Sequence, residues 1–289
     1  MERETRVSAL RLSLTQSMRL ATAACLAICL VQSAALAQPA QKPARPLVGQ
    51  PGKDAIWVPT PTALIEMMLD LAKVTAADRV VDLGSGDGRA VIAAAKRGAS
   101  ARGIEFDANL VAVATANAAK AGVSDKAIFE RADMFATDFS DATVVVVFLL
   151  PELNIKLRPT ILNMKPGTRV VSNTFEMGGW LPDQVESLRE ECDFFFCKAL
   201  LWIVPAKIDG EWTVETGGAA GTLSLKQQFQ TFTGTITNAG AIVPIADGRL
   251  TADELTFTAG GIAYSGKVRG DIIEGTNTSG ATWKAKRGS

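Results

Sequence analysis

Asp82, Asp87 and Glu105, with Gly84, Gly86 and Gly88 set among them, are the residues of this chain whose types and spacing can do chemistry. An apolar stretch, Val80-Val81, runs into Asp82-Leu83-Gly84-Ser85-Gly86-Asp87-Gly88-Arg89, and a second short apolar stretch ends on Glu105. Glycines let the backbone turn tightly and let a ligand come close. An acid closing the second strand can accept both hydroxyls of a ribose. The combination predicts a nucleoside-cofactor site of the strand–loop–helix–strand type. A dinucleotide site requires Gly-x-Gly-x-x-Gly, whose third glycine gives close helix–strand packing. Counted from Gly84, that position is Arg89. Asp82 would repel a pyrophosphate and welcome an ammonium. The loop therefore favours S-adenosylmethionine, which carries an ammonium and no phosphate, over NAD.

Composition narrows the chemistry further. The sequence contains no histidine, which excludes histidine triads, histidine bases and histidine metal ligands. The balance of 30 basic and 30 acidic residues gives no electrostatic footprint for nucleic acid or an anionic membrane. Of the four cysteines, Cys25 and Cys29 lie near the N-terminus. Cys192 and Cys197 stand at an odd separation, which on a strand points them to opposite faces and predicts no bridge between them. No zinc constellation can be assembled.

Residues 1–37 read as a targeting segment. Arg19 precedes an apolar run over residues 20–31, too short to span a bilayer comfortably, and Ala35-Leu36-Ala37 follows as a small-x-small cleavage signal. Cleavage is expected after Ala37, leaving an exported chain, periplasmic or secreted, with no membrane span. Met18 gives a more compact leader than Met1, which would make residues 1–17 an extension. A lipoprotein signal at Cys29 is disfavoured by the bulky Ile28. Residues 38–55, rich in Pro, Gly and Gln, are expected to be a linker.

Beyond the linker, helical and strand periods alternate. Thr60-Pro61 reads as an N-cap and first turn, followed by Leu64, Met68 and Leu71 on one helix face. Strands are expected at residues 80–83, 101–105, 127–131, 144–148 and 169–172. Helices are expected over 89–97 (stopped by Gly98), 107–122 (capped by Asp107) and 152–164, and 194–204 should supply the last one or two strands. Alternation at this spacing means a doubly wound α/β fold with a parallel sheet.

Trp57-Val58-Pro59-Thr60-Pro61, the Asp82–Arg89 loop, Gly103-Ile104-Glu105, Ala132-Asp133 and Lys165-Pro166-Gly167-Thr168 together resemble class I S-adenosylmethionine-dependent methyltransferases. More narrowly, the Val-Pro-Thr opening and the glycine loop resemble the ATP-synthase c-subunit lysine N-methyltransferase family and its bacterial relatives. The resemblance covers about residues 56–205 and implies a Rossmann-like methyltransferase sheet, S-adenosylmethionine as donor and a protein lysine as acceptor. It implies Asp82 and Gly84 at the methionine end of the cofactor, Glu105 at the ribose, and Asp133 with Met134 at the adenine. Val58, Pro59, Thr60, Ser85, Gly86, Asp87 and Phe106 complete the cofactor-binding set.

Methyl transfer from a sulfonium needs alignment and a desolvated nucleophile more than a strong base. An amine acceptor must still lose a proton. Glu152, after the fourth strand, and Glu176, after the fifth, are the catalytic candidates. Each also has a structural reading, Glu152 as a first-turn helix acid. Asp87 either pairs with Arg89 or faces the cofactor. Phe175 and Trp180 read as packing residues.

Residues 210–289 change character. Thr, Gly, Ile, Val and Phe dominate, and turn signals recur every eight to twelve residues, at Asn238-Ala239-Gly240, Asp247-Gly248 and Gly260-Gly261 among others. The pattern predicts six to eight short antiparallel strands in a sandwich or partly closed barrel, with Gly210–Trp212 and Gly280–Trp283 as ends that meet. The expected division is residues 56–206 as the methyltransferase domain and 210–289 as an all-β module for stability or partner contact. The rival functional readings are an exported nucleoside-binding module without transfer activity and a small-molecule methyltransferase.

Overall fold

A computed structural model describes residues 44–188, 196–238 and 240–288. The expected targeting segment, and the linker up to Pro43, lie outside the described residues.

The alternating patterns build a seven-stranded sheet. Its strands are β1 (Arg79–Leu83), β2 (Ser100–Glu105), β3 (Ala127–Arg131), β4 (Val144–Val147), β5 (Arg169–Asn173), β6 (Gln184–Ser187) and β7 (Lys198–Ile203), in the order β3-β2-β1-β4-β5-β7-β6. Strands β1 to β5 are parallel. All four residues of β4 are buried, because helices cover both faces of the sheet. The helices are α1 (Thr62–Leu71), α2 (Arg89–Lys96), α3 (Ala108–Ala121) and α4 (Pro151–Leu162). Asp107 caps α3 by accepting from the amides of Asn109 and Leu110, and left-handed Gly122 ends it.

Two local expectations are corrected. Strand β7 runs antiparallel to β5, and β6 antiparallel to β7, so the sheet is mixed. All four residues of β6 are exposed, as an edge strand allows, so no apolar run announces it. Helix α1 begins at Thr62 without a side-chain cap. Thr60 instead accepts a hydrogen bond from Asn173 Nδ2 at 3.3 Å, and its carbonyl accepts from Arg89 Nη1 at 2.8 Å. Cys197 is disulfide-bonded.

The second pattern closes into a barrel of eight antiparallel strands: β8 (Gly210–Thr216), β9 (Ala219–Gln228), β10 (Thr231–Asn238), β11 (Ala241–Thr251), β12 (Glu254–Ala259), β13 (Ile262–Arg269), β14 (Ile272–Asn277) and β15 (Thr282–Arg287). Strand β15 pairs with β8, bringing Arg287 opposite Trp212, so the predicted ends meet and no edge is left open. Inward positions alternate with exposed ones, and the interior is filled by Trp212, Phe232, Phe257, Tyr264 and Trp283 among aliphatic residues. Phe257 and Tyr264 stack with centroids 4.7 Å apart. Arg287 reaches back to the connection between sheet and barrel, donating to the carbonyls of Lys207 at 2.6 Å and Asp209 at 2.7 Å.

Candidate functional site

Strand β1 has β2 on one side and β4 on the other, so a crevice opens at the C-terminal ends of these strands, where open α/β sheets bind ligands. A cavity occupies that crevice. The loop from β1 to α2 forms its floor. Gly84, Gly86 and Gly88 take φ of +78°, +54° and +84°, which only glycine adopts without strain. A side chain at Gly86 would also meet Trp57, whose Nε1 lies 2.5 Å from where its Cβ would stand. Trp57 thus packs directly on the loop, held by the strap of residues 47–57, in which the amides of Gly49 and Trp57 hydrogen-bond to the carbonyls of Trp57 and Gln50.

The carboxylates differ in their surroundings. Asp82 is buried at the end of β1. Burial, and then the nearby negative charges of Glu105 and Asp87, push its carboxyl up to about 7. Glu105 closes β2 with both oxygens already accepting backbone amides, Oε2 from Gly86 and Oε1 from Asp107, each at 2.9 Å. These bonds fix the carboxylate while leaving lone pairs toward the cavity it lines. Asp87 is gripped by Arg89 in a two-pronged pair, with Nε–Oδ1 2.9 Å and Nη2–Oδ2 2.7 Å, yet both residues also line the cavity.

At the β2–β3 end, Phe106, Asp133 and Met134 line the cavity. Asp133 accepts from the amide of Phe135 at 3.0 Å and from Lys53 Nζ at 2.5 Å. The same ammonium stands 4.9 Å from the centre of the Phe106 ring. These contacts hold the Asp133 carboxyl below the usual carboxylate range, the Lys53 bond first. At the opposite end the wall is apolar: Phe148, Leu149, Leu150 and Leu153 after β4, Phe175 after β5, and Phe196 before β7. The three phenylalanine rings touch one another, with centroids 5.4 to 6.0 Å apart.

All twelve residues of the expected cofactor set line this one cavity: Val58, Pro59 and Thr60 from the strap side, Asp82, Gly84, Ser85, Gly86 and Asp87 from the floor, and Glu105, Phe106, Asp133 and Met134 from the nucleoside end. Glu152 and Glu176 do not line it; both side chains are exposed. Glu152 sits in the first turn of α4, where the helix dipole favours an acid. Sequence reasoning misses Lys53, Phe148 and Phe196, and it reads Phe175 as packing although that residue lines the cavity. Lys53 falls in a segment whose composition reads as linker, and the two phenylalanines lie in or beside apolar strand runs with nothing to separate lining from packing.

The donor set fits an adenosyl ligand that carries an ammonium. Asp82 is a buried carboxyl with no cation among its described neighbours, and the Ser85 hydroxyl, also buried, has no partner among the described residues. No cluster of potential metal ligands occurs among the described residues.

A family model for the ANTKMT methyltransferase domain matches residues 82–184, from β1 to the start of β6. The chain is 45% identical over 132 residues to a protein-lysine N-methyltransferase of Saccharolobus islandicus (strain REY15A), spanning 45% of this chain and 82% of that protein. It is 35% identical over 130 residues to the ATP synthase c-subunit lysine N-methyltransferase of Homo sapiens, spanning 45% of this chain and 55% of that one. Among solved structures, an RNA methyltransferase from Salinibacter ruber in complex with S-adenosyl-L-homocysteine is 45% identical, with 52% of this chain and 96% of that chain covered at a TM-score of 0.49. With four-fifths of a relative matched at that identity, and a cavity that gathers a buried acid, a second carboxylate and a glycine loop, the chain belongs to the ANTKMT family of S-adenosylmethionine-dependent methyltransferases.

Proposed function

We propose that this protein methylates the side-chain amine of lysine in a protein substrate. The observation that carries the reading is the apolar end of the cavity, where Phe148, Phe175 and Phe196 offer a wall of rings to an aliphatic chain. The names of the archaeal and human relatives support the same acceptor. The donor, when bound, supplies an activated methyl group on a sulfonium. Asp82 would pair with the donor's ammonium, Glu105 would accept from its ribose hydroxyls, and Asp133 would accept from the adenine amino group. Phe106 and Met134 would flank the base.

At the acceptor end the lining residues carry no titratable group. Glu152 and Glu176 stand off the cavity, so neither reaches an amine held inside it without rearrangement. Desolvation does the preparatory step instead: apolar walls disfavour an ammonium relative to the neutral amine, lowering its pKa. The proton leaves to water as the chain enters, and the rings keep competing water away from the nucleophile.

We further propose that the mature chain is exported after cleavage at Ala37. The disulfide at Cys197 supports an oxidising compartment, and no helix among the described residues is long and apolar enough to cross a membrane. Incubating the mature protein with radiolabelled S-adenosylmethionine and an envelope extract tests the acceptor reading. Label should appear in protein and, after hydrolysis, as methylated lysine. Label confined to small molecules would overturn the acceptor assignment.

A further inference from the structure

The loop after β5, residues 174–183, carries Phe175 to the apolar end of the cavity and then turns to meet the barrel. Its backbone is not in a resting conformation. Thr174 has φ of +60°, unusual for a β-branched residue, and the turn Met177–Trp180 depends on Gly178 at φ +67°. Part of what holds it comes from the methyltransferase domain. Asn154 Nδ2 donates to the carbonyls of Phe175 at 3.2 Å and Glu176 at 3.3 Å, and Arg158 Nη1 donates to that of Met177 at 2.8 Å.

The far half of the loop is held by the barrel. The ring of Phe229 stacks on buried Trp180, with centroids 6.1 Å apart and planes 16° from parallel. Gln230, itself buried, donates from Nε2 to the carbonyl of Leu181 at 2.8 Å. Arg249 pairs with Asp183 at 3.1 Å. Phe229 and Gln230 form the two-residue tip between β9 and β10, and Phe229 sits there at φ +55°. Glycine and asparagine are the residues that such tips favour. The strain of an aromatic at this tip position is offset by the contacts its ring makes, with Trp180 and with the Arg158 guanidinium 5.2 Å away.

We propose that the barrel is a positioning device for the acceptor site: its Phe229–Gln230 tip clamps the 174–183 loop so that Phe175 stays against Phe148 and Phe196 and sets how the acceptor chain enters. The proposal rests on the reading of the apolar end as the acceptor mouth. Phe229 is a positioning residue; it touches neither the cavity nor its ligands.

The test compares the full-length protein with Phe229→Ala, Phe229→Tyr and, as a milder lesion, Arg249→Met. Two readouts are needed: methyl transfer to polylysine, and hydrogen exchange in the presence of S-adenosylhomocysteine. Phe229→Ala should speed exchange over residues 174–183 but not over β1 and β2, raise KM for polylysine about tenfold, as misplacing a positioned group does, and leave the Kd for S-adenosylhomocysteine within twofold. Phe229→Tyr should restore all three. Unchanged exchange in the loop overturns the clamp, and so does equal loosening of donor and acceptor binding. If Phe229→Ala fails to fold, Arg249→Met carries the same comparison. Wild-type protein that transfers nothing to polylysine removes support for the acceptor reading, while the exchange result still decides whether the barrel holds the loop.

Discussion

Lys53 and Asp133 form an ion pair at 2.5 Å across the nucleoside end of the cavity, with the ammonium also lying over the Phe106 ring. The strap that carries Lys53 therefore occupies the ring face and the acceptor oxygen that an adenine would use. On the proposed placement of the adenine, ligand and lysine would compete for the same two partners. Lys53→Met should tighten S-adenosylhomocysteine binding by a few fold, in line with the small net value of exposed ion pairs, and speed its association. Calorimetry and stopped-flow fluorescence from Trp57 check this; weaker binding in the variant would mean that the lysine holds the ligand instead.

Asp82 sets a pH dependence of opposite sign for binding and for stability. Its carboxyl titrates near 7 in the folded protein against 3.8 for an ordinary aspartate. The raised value means that the folded state holds this proton more tightly, so the stabilising contribution is full below about pH 4 and is lost as pH rises through 7. A bound ammonium reverses the preference, because it needs the carboxylate. Affinity for S-adenosylhomocysteine should rise about tenfold per unit up to pH 7 and level off above it. Asp82→Asn should flatten that profile, weaken binding and make the unliganded protein more stable at pH 8 than the parent. Thermal melts and titrations across pH 5 to 9 decide it.

Glu105 lies between two backbone amides and the cavity, so its loss removes charge-assisted hydrogen bonds on both sides. Glu105→Ala should weaken binding of the donor and its demethylated product by roughly 1–3 kcal/mol. Calorimetry that finds no change, or that finds NAD bound equally well, would remove the ribose assignment.

The export proposal predicts a native N-terminus at Gln38. Mass spectrometry of the N-terminal peptide from protein isolated from its source should find that residue first. Non-reducing peptide maps should place Cys197 in a disulfide, whereas cytosolic protein retaining residues 20–37 would refute export.

Much of this arrangement is legible in the sequence because its determinants are local. Gly84, Gly86 and Gly88 announce a tight loop by their type alone, and Asp107 with Gly122 marks both ends of a helix. The antiparallel strands of the second half are readable from turn spacing, and the meeting of the ends near Trp212 and Trp283 from their matching patterns, whereas full closure rather than a sandwich is settled only by the pairing of β15 with β8. What escapes depends on long-range packing. Strand β6 has no hydrophobic signature because it is an exposed edge. Thr60 has the chemistry of a cap but is drawn into the interior by Asn173 and Arg89. Glu152 and Glu176 follow the right strands, yet direction after a strand is set by packing that no local pattern encodes. Lys53 lies in a segment whose composition resembles a linker, and only the folded chain brings it to Asp133.

Arg287 makes the barrel a ring with a clasp. Its guanidinium fastens the last strand to the carbonyls of Lys207 and Asp209, so the chain from 207 to 287 is closed on itself without a covalent bond. The clasp joins the end of the last strand, opposite Trp212 of β8, to the connection from β7 at the root of the barrel. A single proteolytic cut just before Arg287 would therefore free the connection at residues 207–209 first, while nearly all of the strand pairing survived and the Phe229–Trp180, Gln230–Leu181 and Arg249–Asp183 contacts still joined barrel to sheet. Damage at this one point would loosen the seam of the ring and leave the hold on the 174–183 loop in place.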